Sequence, residues 1–183
     1  MALSSVEVLP VDGGPSEPDG FREFVETRSG ALLRSGWLLT GDWPSAEDLV
    51  QTALAAAWPR WATLTRQDAP ELYVRKIMVN TFLRWRRRWT GEIATGRRPD
   101  MRAYGDAFAQ IDARQALIAA LDRLPPRQRA VVVLRYFADQ TEAQTAAAMG
   151  CSVGAVKAHA SKALARLRDA PGLAELMTGG VTS

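Results

Sequence analysis

The chain has little sulfur and almost no imidazole: Cys151 is its one cysteine and His159 its one histidine among 183 residues. A lone cysteine excludes a disulfide framework within the chain. With a single imidazole beside it, no zinc ligand set of the usual type can be assembled. Asp106 with Asp112, or Asp42 with Asp48, could be imagined as metal-binding carboxylates, but no spacing supports such a site. An enzyme acting on nucleic acid is therefore disfavoured, and neither a catalytic residue, a metal nor another cofactor is expected. Long apolar runs are missing too. None approaches the ~20 residues of a membrane span, and the N-terminus has no basic-then-apolar signal pattern, so a cytoplasmic protein is expected. Lysine is scarce, with Lys76, Lys157 and Lys162 standing among 23 basic residues that are otherwise arginine. The net charge of +3 is modest, but a pI near 9.4 carried by arginine favours an anionic partner. The planar guanidinium suits phosphates and base edges better than an ammonium does.

What is present is helical periodicity. Residues 1–20 hold Pro10, Gly13, Gly14, Pro15 and Pro18 with several acids, a composition that packs no core and predicts a disordered leader. Phe21, Phe24, Val25, Leu32, Leu33 and Leu38 predict a helix over 21–39. A turn follows at Gly41-Asp42-Trp43-Pro44. Ser45 is the expected cap of the next helix, 46–61, with Asp48 three places on as in a capping box. Leu49, Val50, Ala53, Leu54, Ala57 and Trp58 form its apolar side. Asp48 and Gln51 lie off that stripe, where a solvated surface is the plain reading and a partner's contact the alternative.

The densest pattern in the first half is LYVRKIMVNTFLRWRRRW, 72–89, with Asp68 and Glu71 as a capping pair before it. Val74, Met78, Phe82, Trp85 and Trp89 share one face. Lys76, Asn80, Leu83 and Arg87 share another, with Arg84 and Arg88 between. Cations interleaved with flat rings suit single-stranded nucleic acid. One base–ring stack contributes ~1–3 kcal/mol, comparable with the few kcal/mol needed to unstack a base. Such a helix could hold melted DNA without an energy source. Tryptophans at this spacing are more often core than stacking platform, so Asn80 and Arg84 are the better contacts.

Periodicity fails over 90–105, where Gly91, Gly96, Pro99 and Gly105 predict an inter-domain linker. Ile111, Leu117, Ile118, Leu121 and Leu124 then predict a helix over 107–124. Pro125-Pro126 stops it and opens another over 127–137, whose run Val131 to Leu134 should be buried; a strand competes for that run. Thr141 is a weak cap for 141–149, because Glu142 follows it directly. Gly150 can end that helix in the left-handed region, and Ser152 can cap the next. In the last helix Val153, Val156, Ala160, Ala163, Leu164 and Leu167 share one face. Gly154, Ala155, Ala158 and Lys162 point away, with Lys157 and His159 on the flanks. Two helices meeting at Gly150-Cys151-Ser152 make a helix-turn-helix pattern, in which small outward residues approach base edges and flanking cations reach phosphates. A plain helical hairpin burying an Ala/Leu seam competes with it. Cys151 fits the turn as a small residue. Pro171, Gly172, Gly179 and Gly180 mark a loose tail.

LPPRQRAVVVLRYF and CSVGAVKAHASKALARLR resemble domain 4 of the sigma-70 family. SAEDLVQTALAAAW and YVRKIMVNTFLRWRRR resemble domain 2 of the same family. The short layout is similar to that of the extracytoplasmic-function (ECF) sigma factors, and the Trp- and Arg-rich end of the second domain 2 word to an actinobacterial, SigE-like subgroup. The resemblance implies an all-α fold of two small helical domains: a leader at 1–20, domain 2 at 21–90, a linker at 91–106, domain 4 at 107–170 and a tail at 171–183. It implies a factor that binds core RNA polymerase, recognises promoter DNA at the −10 and −35 elements and promotes initiation, with an anti-sigma factor as a further partner the family admits. Residue by residue, it places Asp48 and Gln51 in polymerase docking. Lys76, Asn80, Arg84 and Arg87 fall on the single strand of the −10 element, and Lys157, Ala158, His159 and Lys162 in the major groove of the −35 element. Arg127 and Arg129, which precede the apolar helix of domain 4, become expected phosphate contacts. Two positions depart from the family's pattern: Ala160 stands where a Leu is usual, and Thr145 where a longer aliphatic is frequent. Both predict a lightly packed domain 4. The runner-up is a helix-turn-helix repressor or activator that is not a polymerase subunit. It leaves the Arg/Trp helix and the docking segment without a role.

Overall fold

The computed structural model describes residues 17–66, 70–93 and 108–170, with the side chains of 89–93 and 108–113 outside that description. The expectations for the leader 1–16, Asp68, Trp89, the linker from 94 to 106, Asp106, Ile111, Asp112 and the tail 171–183 lie outside the described residues. Among those residues every regular element is a helix.

The first two helices, α1 (Phe21–Thr40) and α2 (Trp43–Ala57), pack against each other. Gly36 permits this, since a Cβ there would lie 3.2 Å from the Ala46 carbonyl oxygen. Gly41 ends α1 at φ 96°, donating its N–H to the Trp37 carbonyl at 2.7 Å. The cap of α2 is Asp42 rather than the expected Ser45: its carboxylate accepts from the Ser45 N–H at 2.8 Å. The helix therefore begins at Trp43, and Pro44 sits in the first turn, where its missing N–H is not needed. Pro59 also shortens what the sequence suggested was one helix to residue 61. α2 stops at Ala57, a tighter 3-10 turn follows over Trp58–Arg60, and a short α3 (Trp61–Arg66) follows it. Trp61 is buried. Its indole donates to the Asp19 carbonyl at 3.1 Å, and Phe21 meets it edge-on at 4.8 Å.

The Arg/aromatic helix α4 (Pro70–Ile93) runs on through Gly91, where the sequence suggested a break. Val74, Met78 and Phe82 are buried as their spacing requires, and Trp85 packs partly buried against the core. Val79 and Leu83, on the side that carries Lys76 and Asn80, are buried as well. Along that side α7 (Glu142–Met149), from the second half of the chain, packs against α4, with Asn80 meeting the Ala148 carbonyl.

The second half comprises α5 (Phe108–Asp122), α6 (Pro126–Val132), α7 and α8 (Val153–Arg168). The run Val131 to Leu134 is buried and helical, which disposes of the strand alternative. Over Val133–Phe137 the helix widens, and the Ala138 N–H donates back to the Val133 carbonyl at 3.0 Å. The buried apolar residues of both halves form one contiguous core.

Candidate nucleic-acid interface

The turn between α7 and α8 is fixed at both ends by the residues beside it. Thr141 is a full capping partner, not a weak one. Its hydroxyl accepts from the Gln144 N–H at 3.1 Å, and the Gln144 side chain accepts from the Thr141 N–H at 2.8 Å. The reciprocal residue is the one three places on, as a capping box requires. Gly150 takes φ 61° and closes α7, while Ser152 caps α8 by accepting from the Ala155 N–H at 3.1 Å. Cys151 lies half-buried in the corner.

Within α8 the apolar face is narrower than its sequence suggested. Val156, Ala163 and Leu167 are buried and Ala160 partly so, but Val153 and Leu164 are exposed. At ~100° per residue those two lie ~60–80° round the helix from Val156, on the flank of the contact. The opposite side is open: Gly154, Lys157, Ala158, Ser161 and Lys162 are exposed. Ser161 is the residue the sequence reading missed. It shares the strip with Lys157 and Ala158 at helical spacing, and its hydroxyl can serve a base edge or a phosphate. Lys157 pairs loosely with Glu142 at 3.5 Å across the corner. His159 is half-buried; burial, then Arg127 and Lys162, push its imidazole below the usual range and favour the neutral form. That influence also places exposed Arg127 near His159 of α8.

Arg129 is a correction. Expected as a phosphate contact, it is 1% exposed. Its Nε donates to the Leu38 carbonyl at 2.6 Å, and its Nη1 meets Asp122. Burial pulls its pKa down and Asp122 opposes the shift. A guanidinium held this way presents nothing to DNA; it ties α6 to the end of α1. Thr145 is fully buried, and its hydroxyl has no hydrogen-bond partner among the described residues. The departure noted there in the sequence thus becomes an unsatisfied polar group in the α7 core.

On α4, Lys76, Asn80, Arg84 and Arg87 are all exposed. Arg84 leans on the Thr81 hydroxyl at 3.4 Å and Arg87 on the Leu83 carbonyl at 3.4 Å. Asn80 donates to the Ala148 carbonyl at 3.5 Å, so this line runs along the edge of the α4–α7 contact. Lys76, Tyr73, Leu72 and Leu64 face Gln144 and Ala148 across a shallow groove there. On α2, Asp48 and Gln51 are exposed and neighbouring, away from the buried Leu49, Val50 and Ala53. No group of three or more metal-ligating side chains occurs among the described residues. Among them, too, no helix is long and apolar enough to cross a membrane.

Comparison with known proteins matches the two halves of the chain to two regions of one family. Residues 24–90 match "Sigma-70 region 2" and residues 114–167 match "Sigma-70, region 4". The RNA polymerase sigma-E factor of Streptomyces coelicolor is 43% identical over 150 residues, covering 81% of this chain and 84% of that protein. Its namesake in Streptomyces avermitilis is 41% identical over the same length, covering 81% and 83%. Among solved structures, the sigma factor RpoE of Bartonella quintana, in complex with the anti-sigma factor NepR, superposes with a TM-score of 0.67 at 24% identity. That likeness covers 83% of this chain and 96% of that one, and shows the shared fold.

Proposed function

From the premise that this chain belongs to the extracytoplasmic-function, SigE-like group of the sigma-70 family, we propose how its residues divide the work of a sigma factor. The protein is an RNA polymerase sigma factor whose partners are core polymerase and promoter DNA. In our reading Asp48 and Gln51 on α2 dock on polymerase. Lys76, Arg84 and Arg87 hold the backbone of the melted −10 strand while Asn80 reads an unstacked base. The open strip of α8, Lys157, Ala158, Ser161 and Lys162 with His159 at its edge, enters the major groove at the −35 element, and Arg127 takes a phosphate. Arg129 leaves this set because it is buried.

The observation that supports the division best is the pair of capped corners. Asp42 fixes α2 with its exposed Asp48 and Gln51; Thr141, Gly150 and Ser152 fix α8 with its exposed strip. Each surface is presented by a rigid helix rather than a loop. In this account the protein performs no chemistry of its own, polymerase doing the catalysis, and it works in the cytoplasm beside the chromosome. The complexes of RpoE with NepR and of CnrH with the cytosolic domain of CnrY support control by an anti-sigma protein here as well. A helix-turn-helix repressor would leave the α2 and α4 surfaces idle.

Run-off transcription with purified core polymerase on genomic fragments tests the reading. Start sites that depend on adding this protein are expected. A chain that comigrates with no polymerase and makes no start site on any template overturns it.

A further inference from the structure

Trp43 is one of the few large apolar side chains among the described residues that the fold leaves exposed. It is 47% exposed at the first turn of α2, and its ring stacks on that of Trp37 with centroids 5.8 Å apart and planes 18° from parallel. The pair is held by construction. Gly36 brings α1 within contact of Ala46, Gly41 turns the chain, and the Thr40 hydroxyl shares its one proton between the Gly36 carbonyl at 2.9 Å and the Asp42 carbonyl at 3.0 Å. Asp42 then starts α2 with Trp43 in place. Trp37 is half-buried beneath it, so the outer ring has a fixed seat. The core does not require the arrangement, since Trp43 is absent from the packed cluster and from the side chains against it.

The platform is continuous with the surface carrying Asp48 and Gln51. Trp43, Glu47 and Gln51 follow one another at four-residue spacing, so at ~100° per residue they shift only ~40° round α2 from one to the next. Glu47 and Asp48 are both exposed beside it. An aromatic ring already locked in place loses little conformational freedom on binding, and tryptophan is among the residues enriched at the energetic centres of protein interfaces.

We propose that the Trp37–Trp43 pair is a further anchor for core polymerase: Trp43 enters an apolar recess on the polymerase surface while Glu47 and Asp48 meet basic side chains at its rim. This rests on the docking reading of α2 given above. The test measures affinity of the full-length chain for purified core polymerase with Trp43→Ala, Trp43→Phe and Asp48→Ala side by side. Trp43→Ala is expected to keep the helical circular dichroism and to bind about 30-fold more weakly, the loss typical of an interface anchor. Trp43→Phe should recover most of that loss. If Asp48→Ala weakens binding and Trp43→Ala does not, the anchor is overturned and the docking reading stands. Unchanged affinity in both overturns the two together. A change in self-association with Trp43→Ala, seen by sedimentation at unchanged polymerase affinity, would assign the platform to a second copy of the chain and also overturn the proposal.

Discussion

Arg129 reaches across 91 positions of sequence to donate its Nε to the carbonyl of Leu38, near the end of α1. The bond joins the second half of the chain, with its helix-turn-helix, to the first. Leu38 lies in the segment matching sigma-70 region 2 and Arg129 in the segment matching region 4. The cation is well chosen for that place. It sits against the Leu38 carbonyl in the last turn of α1, where positive charge is favoured, and pairs with Asp122.

Arg129→Ala should therefore destabilise the free protein strongly. Removing one partner of a buried pair typically costs ~3–5 kcal/mol; because Asp122 is 32% exposed and can be resolvated, the lower end applies. Arg129→Met, which fills the space without a charge, should cost less than Arg129→Ala. Urea unfolding of both variants measures the difference. Equal losses would mean that the guanidinium and its bonds, not the volume, hold the halves together.

Thr145→Val should stabilise the protein. The hydroxyl is fully buried and unpartnered among the described residues, and a buried polar group without a hydrogen bond costs ~1–3 kcal/mol. Replacing it with a methyl of similar shape removes that cost, so the urea midpoint should rise. A fall would show that the hydroxyl has a partner.

Asn80→Ala should impair promoter opening while leaving polymerase binding intact. The side chain is exposed on α4 and makes one long bond, to the Ala148 carbonyl at 3.5 Å, so the fold loses little. Permanganate reactivity of thymines at the start site reports opening, and co-purification with core reports binding. Loss of both would make this side chain structural.

Lys157→Ala should weaken binding to double-stranded upstream DNA about equally across sequences and reduce the salt dependence by roughly one phosphate contact. The pairing with Glu142 is loose at 3.5 Å and exposed, so stability should barely change. A changed base preference would move Lys157 from the flank to the reading face.

His159 gives a pH signature. Its folded pKa is lowered, chiefly by burial and further by Arg127 and Lys162. The unfolded chain then takes up its proton first. The histidine's contribution to stability is fully present above the unfolded value, ~6.5, and is lost as pH falls through the depressed folded value. Imidazole proton shifts should show a midpoint below ~6.5, and Lys162→Ala should raise it. A bound phosphate should raise it too. A midpoint above the ordinary value in the free protein would contradict the observed surroundings.

Much of this was legible locally. The inward line Val156, Ala163 and Leu167 follows from helical spacing, as does the line Val74, Met78 and Phe82. Gly150 and Ser152 announced the corner they make. The cap of α2 was misplaced because Asp42 and Ser45 are both good caps within one turn, and only the hydrogen bond decides between them. The Thr141–Gln144 box is present in the sequence at the spacing that defines it, while the adjacent Glu142 takes no part in the cap. The widened turn after Val132 has no sequence signal that we can identify.

The sequence by itself determined the helices, their corners, and which strip of each is polar enough to meet nucleic acid or polymerase, because each of these depends on residues within a turn or two of one another. Tertiary structure alone decided which of those polar residues are free to act. Arg127 and Arg129 sit in the same short basic run, yet one is exposed and the other 1% exposed. The difference is the carbonyl end of α1 and the Asp122 carboxylate, which only folding brings to Arg129. Leu83 likewise reads as part of an open face by its spacing, yet it is buried in the folded chain, where helices from both halves pack against α4. Burial is a property of what arrives from elsewhere in the chain, and no local period encodes it.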